Sequence, residues 1–297
     1  MFKLLALDMD GTVLNNKKQI SEENKIAIKK AQEKGVTVAL CTGRSIGGIQ
    51  KYLEELDLIG DNNYSITVSG SCILNNTRKN IIKNDTLNNE DINYVNNVAK
   101  ELDLTLNGYA SDRLYVPSAN FFSYIDSIAN DLPMEIVDFK TIGNDFVNKI
   151  TLINEDISLK KEFKKIENFF PDLIIPEVEV PSKENFNKDL FNAMSNLPSK
   201  LTQNYTILKT SPYTIEILNK HSNKGTGVQA LAEKLGIKRE EVICIGDSGN
   251  DEHMIEYAGL GVAMGNAFPE IKEIADYITL TNEEHGVAHV IDKFILN

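Results

Sequence analysis

Strands and helices alternate along the first part of this 297-residue chain, and that alternation constrains the fold more than any other feature. Residues 2–7 form an apolar run broken only by Lys3, which is typical of a buried strand. Ser21 is suited to cap the start of a helix, and Gly35 is suited to end it. The predicted order is a strand at residues 2–7, a helix at 21–34, a strand at 36–41, a helix at 46–56 and a strand at 64–68. This β-α-β-α-β order predicts a parallel sheet with right-handed crossovers.

The same alternation returns near the C-terminus. The predicted order there is a helix at 225–235, a strand at 241–245, a helix at 251–257, a strand at 261–264, a helix from 269 and a strand at 277–280. Gly236 is suited to end the first of these helices, and Pro269 is suited to the first turn of the third. Because both ends of the chain follow one pattern, we expect residues 1–84 and 219–297 to build one discontinuous α/β core.

The middle of the chain, residues 85–218, is richer in Asn and has a different pattern. Helices are predicted near 89–102 and 156–170, and short strands near 104–106, 113–116, 149–153, 206–209 and 214–217. The last two strands flank a Thr-Ser-Pro-Tyr turn and predict an antiparallel hairpin. Residues 171–197 contain three prolines and are interpreted as a long irregular excursion. We therefore expect an α+β domain inserted into the α/β core.

Composition narrows the class of protein. The chain is 42% hydrophobic and 25% charged, which suits a folded soluble protein, and its three cysteines are too scattered for a disulfide framework. Asp8 comes too early for a signal peptide, and no apolar run approaches the roughly 20 residues of a membrane span. A net charge of −12 with dispersed Lys and Arg argues against a nucleic-acid partner. We expect a soluble, cytoplasmic protein.

Polar motifs follow the predicted core strands. They are DMDGT at residues 8–12, TGR at 42–44, GDSGND at 246–251 and GN at 265–266. Because ligands bind beyond the carboxyl ends of parallel strands, we expect Asp8, Asp10, Asp247 and Asp251 to gather at one edge of the sheet. Clustered carboxylates raise one another's pKa unless a cation lies among them, and oxygen ligands favour Mg²⁺ over zinc. The sequence therefore predicts a Mg²⁺ site.

These residue types also suit phosphoryl transfer. A carboxylate such as Asp8 can attack phosphorus and form an aspartyl phosphate, and Asp10 can protonate the leaving oxygen and later activate water. Lys224, at the start of a predicted helix, and the Thr42 hydroxyl can bind the phosphate oxygens. Cys41 is interpreted as a core residue, because no histidine lies near it in the sequence.

The motifs resemble those of the haloacid dehalogenase superfamily, specifically the Cof-type (subclass IIB), YidA-like sugar phosphatases with a large inserted cap. The resemblance extends over nearly the whole chain and is closest from Tyr205 onward, in runs such as PYTIEIL at residues 212–218 and MIEYAG at 254–259. It implies a Rossmann-like core and a mobile α+β cap, residues 85–218, that closes over the substrate and sets specificity. It also implies a Mg²⁺-dependent phosphatase acting on small phosphoesters, chiefly sugar phosphates.

The resemblance implies a role for each motif residue. Asp8 would be the nucleophile and Asp10 the general acid and base. The phosphoryl group would be bound by Thr42, Gly43, Arg44 and Lys224. Mg²⁺ would be held by Asp8, the backbone carbonyl of Asp10 and Asp247, supported by Asn250 and Asp251. In the cap, Asp112, Arg113 and Tyr115 are candidate specificity residues, with ordinary cap surface as the alternative interpretation of each.

Two features depart from the family pattern. Residues 69–71 are Ser-Gly-Ser where family members often have Asn-Gly-Ala, which puts substrate contacts there in doubt. The excursion at residues 171–197 is longer than in the usual cap and is interpreted as a surface loop rather than a specificity surface.

Three other functions use similar residues. A receiver-like signalling domain also has clustered Asp, Thr and Lys, but it needs neither Asp10 as an acid nor a large insertion. A phosphomutase would pass the phosphoryl group to a second hydroxyl, and its cap would need several arginines to bind a second phosphate. A catalytically idle sugar-phosphate sensor would not need both Asp8 and Asp10. Hydrolysis is therefore the preferred prediction.

Overall fold

A computed structural model describes residues 1–78, 80–142, 147–153, 197–211 and 214–297. The predicted helix at 156–170, nearly all of the predicted excursion at 171–197 and the Pro-Tyr turn at 212–213 lie outside the described residues. Among the described helices, none combines the length and the apolar character needed to cross a bilayer. The fold belongs to the α/β class, as predicted, and contains two sheets.

The structure has the following bounds for its elements. The strands are β1 Leu4–Leu7, β2 Thr37–Cys41, β3 Tyr64–Thr67, β4 Cys72–Asn75, β5 Ile81–Asn84, β6 Thr105–Tyr109, β7 Leu114–Val116, β8 Met134–Ile136, β9 Lys149–Ile153, β10 Tyr205–Ser211, β11 Thr214–Asn219, β12 Val242–Gly246, β13 Leu260–Ala263 and β14 Tyr277–Ile278. The α-helices are α1 Glu22–Glu33, α2 Gln50–Glu55, α3 Asn89–Glu101, α4 Phe121–Asn130, α5 Ser199–Asn204, α6 Lys224–Leu235, α7 Glu252–Tyr257, α8 Pro269–Ile274 and α9 Gly286–Ile291.

The chain divides into two compact units. The first contains Met1–Thr86, Ala129–Leu132 and His221–Asn297, and the second contains Leu87–Ile128 and Pro133–Lys220. The assignment of residues 85–218 as a specificity domain stays a prediction.

The first unit is built on an eight-stranded sheet with the order β14-β13-β12-β1-β2-β3-β4-β5. The strands from β14 to β3 are parallel to one another, as predicted. At the other edge, which the sequence interpretation did not include, β4 and β5 are antiparallel. The reason is that β4 follows β3 through a turn of a few residues, and only antiparallel strands can be joined so directly.

The central strand of this sheet explains the first apolar run of the sequence. All four residues of β1 are 0% exposed, because strands lie on both sides of it and helices cover the sheet. Helix α1 begins where predicted, since the Ser21 side chain accepts a hydrogen bond from the Asn24 amide, and it ends just before Gly35. These elements place the carboxyl end of β1 in the middle of the sheet edge.

The second unit contains a six-stranded sheet with the order β10-β11-β9-β6-β7-β8. The predicted hairpin is confirmed, since β10 pairs with β11 in antiparallel register from Tyr205 opposite Asn219. One face of the sheet carries the apolar core, which includes Leu106, Ile150 and Ile217. The sequence interpretation missed α4, α5 and β8, although Asn120 marks the start of α4 by accepting a hydrogen bond from the Ser123 amide at 2.9 Å.

Candidate active site

Three carboxylates meet at the carboxyl edge of the first sheet. Asp8 follows β1, Asp247 follows β12, and Asp251 lies four residues further on. Because β1 and β12 are parallel neighbours with Leu7 opposite Ile245, the residues that follow them come together. One oxygen from each of the three carboxylates lies within 4.8 Å of the others. Within the described part of the chain, this is the one group of three or more His, Cys, Asp or Glu side chains close enough together to hold a metal ion.

Lys224 is buried among these carboxylates. It is the first residue of α6, whose start is fixed by a capping box between Asn223 and Thr226. Its Nζ atom is 2.6 Å from Asp8 Oδ1 and 2.5 Å from Asp251 Oδ1, and the residue is 0% exposed. Burial opposes its charge, but the two carboxylates outweigh burial and raise the pKa of Lys224 well above its usual value.

The negative charge of the group is not balanced by Lys224 alone. Burial, with Asp251 adding to it and Lys224 opposing it, raises the pKa of Asp8 to about 6. Burial and the neighbouring Asp8 and Asp251 raise the pKa of Asp247 to about 9. Asp8 Oδ2 is buried and has no hydrogen-bond partner. Three clustered carboxylates with one ammonium among them fit a hard divalent cation such as Mg²⁺.

Asp251 and Asn250 have structural contacts of their own. Asp251 Oδ2 accepts hydrogen bonds from the backbone amides of Asp247 at 2.9 Å and Ser248 at 3.0 Å, while its other oxygen binds Lys224. Asn250 Oδ1 accepts a hydrogen bond from the Ser248 hydroxyl at 2.9 Å. Both side chains therefore hold the loop that presents Asp247.

The Asp10 carboxylate lies outside the three-carboxylate group and is held by two cations. Arg44 donates Nε to Asp10 Oδ2 at 2.8 Å and an Nη group to Oδ1 at 2.7 Å, and Lys18 Nζ lies 2.5 Å from Oδ1. Burial favours the neutral acid, but Arg44 and then Lys18 outweigh it and hold the pKa of Asp10 well below its usual range. Sequence reasoning missed Lys18, because no motif surrounds it.

Thr42 and Arg44 belong to a turn that is held by the strained segment after β3. Val68 and Ser69 have φ angles of +49° and +55°, which are uncommon for residues other than glycine. In this conformation the Val68 amide donates to the Arg44 carbonyl and the Ser69 amide donates to the Thr42 carbonyl, both at 2.9 Å. Gly70 completes the segment with a φ of +92°, and a Cβ there would lie 2.0 Å from the Asn223 carbonyl oxygen.

Gly43 lies between Thr42 and Arg44 in the turn after β2. Thr42 is 2% exposed, and its Oγ1 atom accepts a hydrogen bond from the Arg44 amide at 3.2 Å. The structure thus brings Asp8, Lys224, Asp247 and Asp251 together and pairs Arg44 with Asp10. The catalytic, phosphate-binding and metal-binding roles of these residues stay predictions.

Comparison with known proteins gives the family. The sequence profile of the haloacid dehalogenase-like hydrolases matches residues 5–291. A Bacillus subtilis protein named "Putative phosphatase YxeH" is 36% identical over 296 residues, covering 100% of this chain and 99% of that protein. Another B. subtilis protein, named as the 5-amino-6-(5-phospho-D-ribitylamino)uracil phosphatase YcsE, is 32% identical over 296 residues, covering 99% and 96%.

A solved structure agrees with these sequence relatives. The crystal structure of a haloacid dehalogenase-like hydrolase from Bacteroides thetaiotaomicron has a TM-score of 0.75 and 28% identity, covering 99% of this chain and 100% of that one. This chain therefore belongs to the haloacid dehalogenase-like hydrolase family and is a hydrolase of that fold. The resemblance to the Cof-type branch is confirmed.

Proposed function

We propose that this chain is a cytoplasmic, Mg²⁺-dependent phosphatase that hydrolyses small phosphoesters, chiefly sugar phosphates, through an aspartyl phosphate on Asp8. The observation that carries this proposal is the asymmetry of the Asp8 carboxylate. Its Oδ1 atom is held by Lys224 at 2.6 Å, while its Oδ2 atom is buried without a hydrogen-bond partner. One oxygen is fixed and the other keeps its lone pairs, which is the arrangement that a carboxylate nucleophile needs.

In the first step, Asp8 Oδ2 attacks phosphorus and the bond from phosphorus to the ester oxygen breaks. The departing oxygen takes a proton from Asp10. In the second step, Asp10 removes a proton from water, whose oxygen attacks the phosphorus of the aspartyl phosphate. Phosphate leaves and the Asp8 carboxylate is restored. For this role the Asp10 carboxyl must leave its pair with Arg44 and accept a proton as substrate binds.

The remaining motif residues bind the phosphoryl group in this proposal. Lys224 and Arg44 supply positive charge to its oxygens, and Thr42 and Gly43 supply a hydroxyl and a backbone amide. Mg²⁺ would be held by Asp8, Asp247 and the backbone carbonyl of Asp10, with Asn250 and Asp251 supporting the loop. When bound, the metal ion would neutralise charge on the phosphoryl oxygens.

The proposed substrate class rests on the resemblance and on one relative. We assign specificity to the inserted domain, residues 85–218. The relative named as a 5-amino-6-(5-phospho-D-ribitylamino)uracil phosphatase acts, by its name, on a phosphate carried by a sugar-derived chain. At 32% identity over nearly the whole chain, it supports sugar and sugar-alcohol phosphates as the first compounds to test.

The test measures phosphate released by the wild type and by Asp8→Asn, with and without Mg²⁺. The substrates are p-nitrophenyl phosphate, hexose 1- and 6-phosphates and a ribityl phosphate. We expect Mg²⁺-dependent turnover that falls by at least about a thousandfold in Asp8→Asn, because the nucleophile is lost. Asp292→Asn, which changes an exposed carboxylate near the C-terminus, is the matched control and should keep full activity.

Other outcomes would favour the alternatives. Interconversion of hexose 1- and 6-phosphates without phosphate release would identify a phosphomutase. Binding of sugar phosphates and Mg²⁺ without either reaction would identify a sensor. Equal activity in the wild type and Asp8→Asn would refute Asp8 as the nucleophile.

A further inference from the structure

Three asparagine side chains hold the backbone segment that follows Asp10. We propose that Asn24, Asn266 and Asn282 are positioning residues, which fix this segment and thereby place the Asp10 carboxyl at the ester oxygen. The proposal rests on the proposed function, because it takes Asp10 to be the general acid.

Each asparagine donates its side-chain amide to a different backbone carbonyl of the segment. The contacts are Asn266 Nδ2 to Gly11 O at 2.8 Å, Asn24 Nδ2 to Val13 O at 3.5 Å and Asn282 Nδ2 to Leu14 O at 3.0 Å. The three donors come from α1, from the loop after β13 and from the loop after β14. Residues distant in the sequence therefore converge on four consecutive residues.

The amide oxygens of Asn266 and Asn24 accept hydrogen bonds from backbone amides in the C-terminal part of the first unit. Asn266 Oδ1 accepts a hydrogen bond from the Asn282 backbone amide at 2.9 Å. Asn24 Oδ1 accepts one from the Ala288 amide at 3.0 Å. A side-chain amide carries a donor and an acceptor in one rigid plane, so asparagine is suited to bridge two backbones in this way. Asn24 is 0% and Asn282 is 5% exposed, so water competes little for these contacts.

The segment is held at both of its ends. Before it, the Asp8 amide donates to the Ile245 carbonyl at 3.0 Å and fixes the end of β1. After Asp10, Asn266 donates to the Gly11 carbonyl, and the Val13 and Leu14 amides donate to the Asp8 and Met9 carbonyls. Gly11 packs so closely on the metal-site carboxylate that a Cβ would lie 2.3 Å from Asp247 Oδ2. A shift of this segment would therefore move Asp10 relative to Asp8 and Asp247.

A displaced general acid has a kinetic signature that depends on the leaving group. A sugar alkoxide is a poor leaving group, so the departing oxygen needs a proton from Asp10. The p-nitrophenolate ion is a good leaving group and departs without one. The value of kcat/KM reports formation of the aspartyl phosphate for both substrates. The ratio of kcat/KM for glucose 6-phosphate to kcat/KM for p-nitrophenyl phosphate therefore isolates the acid function from general loss of structure.

The experiment measures this ratio in Asn24→Ala, Asn266→Ala and Asn282→Ala, together with the thermal unfolding temperature of each variant. Asn75→Ala is the matched control. Asn75 is 4% exposed and also bridges two backbones, since its Nδ2 donates to Asp61 O at 3.4 Å and its Oδ1 accepts from the Asn80 amide at 3.0 Å. Asn75 lies opposite Tyr64, the first residue of β3. It is therefore at the amino ends of the parallel strands, whereas Asp8 is at their carboxyl ends.

We expect the ratio to fall by about tenfold or more in Asn24→Ala, Asn266→Ala and Asn282→Ala, since misplacement of about 1 Å can lower a rate by about 100-fold. Asn75→Ala should lower the unfolding temperature and leave the ratio within about twofold of wild type. Asn266 is exposed, so Asn266→Ala should stay folded and decides the outcome if the buried variants unfold. An unchanged ratio in folded Asn266→Ala would overturn the proposal. Absence of phosphate release in the wild type would instead refute the proposed function.

Discussion

Arg44 donates two hydrogen bonds to the Asp10 carboxylate, one from Nε at 2.8 Å and one from an Nη group at 2.7 Å. This fork geometry is available to arginine and not to lysine. The side chains of Arg44 and Asp10 are 20% and 38% exposed, so water screens part of the attraction. The pair keeps Asp10 ionised in the free protein and ties the segment after β1 to the turn after β2.

Replacing Arg44 by Met should lower the free energy of unfolding at pH 7 by about 1 kcal/mol, after allowance for solvent screening. The folded-state pKa of Asp10 lies below its unfolded value of 3.8, so the pair stabilises the fold above about pH 4. That contribution is lost as the pH falls towards the folded-state pKa. Urea unfolding at pH 7, 5 and 3.5 should therefore show a difference between wild type and Arg44→Met that shrinks only at the lowest pH. A difference independent of pH would contradict the ion-pair account.

Lys224→Met should lower both the free energy of unfolding and the phosphatase activity. Removing one partner of a buried ion pair leaves uncompensated charge, which destabilises a protein by about 3–5 kcal/mol, and here two carboxylates would lose their cation. Phosphatase activity should fall at least about 100-fold, because positive charge near the phosphoryl oxygens is lost. Urea unfolding and phosphate release measure the two effects.

Lys234→Met, an exposed position on the same helix, is the matched control and should change neither property. A Lys224→Met protein with near-normal turnover would remove Lys224 from the proposed phosphate-binding residues.

Much of the first unit could be predicted because its strands are simple to recognise. A strand buried on both faces, such as β1, has to be an uninterrupted apolar run, and whatever follows it has to lie at the edge of the sheet. Asp8 and Asp247 come together for that reason alone. Lys224 could also be predicted, because Asn223 and Gly236 mark the ends of α6.

Other parts depend on conformations that the sequence does not reveal. The turn into β4 places Val68 and Ser69 at positive φ, a conformation with no residue signature outside glycine and asparagine. Lys18 reaches Asp10 from a turn in which its own φ is +58°. The pairing of Asp10 with Arg44, rather than with the other carboxylates, follows from tertiary contacts between motifs 34 residues apart.

Mg²⁺ should stabilise the protein, and more strongly at high pH. The folded-state pKa of Asp247, about 9, lies above its unfolded value of 3.8. Protonation of the Asp247 carboxyl therefore stabilises the metal-free fold at low pH. This stabilisation is lost as the pH rises towards 9. Metal ligands must be deprotonated, so Mg²⁺ competes better as the pH rises. We expect the increase in unfolding temperature caused by Mg²⁺ to be larger at pH 8.5 than at pH 6.

The control for this prediction is Asp247→Asn, which removes one carboxylate of the group. Its unfolding temperature should respond little to Mg²⁺ at either pH. A shift that is equal at both pH values, or that survives in Asp247→Asn, would place the metal ion elsewhere.

The second unit offers a test of buried charge that is independent of catalysis. Lys149 Nζ lies 2.6 Å from Glu216 Oε1, and the two side chains are 4% and 8% exposed. Lys149→Met or Glu216→Leu alone removes one charge of this buried pair and should lower the free energy of unfolding by about 3–5 kcal/mol. The double variant Lys149→Met/Glu216→Leu replaces the pair by apolar groups and should recover most of that loss.

Urea unfolding of the four proteins in this double-mutant cycle measures the coupling between the two residues. The matched exposed pair in the same unit is Arg113 with Glu135, which are 41% and 48% exposed, and Glu135→Gln should produce no measurable change. If the double variant is as unstable as the sum of the two single variants, the residues act independently. In that case their buried position, rather than their pairing, determines the stability of this sheet.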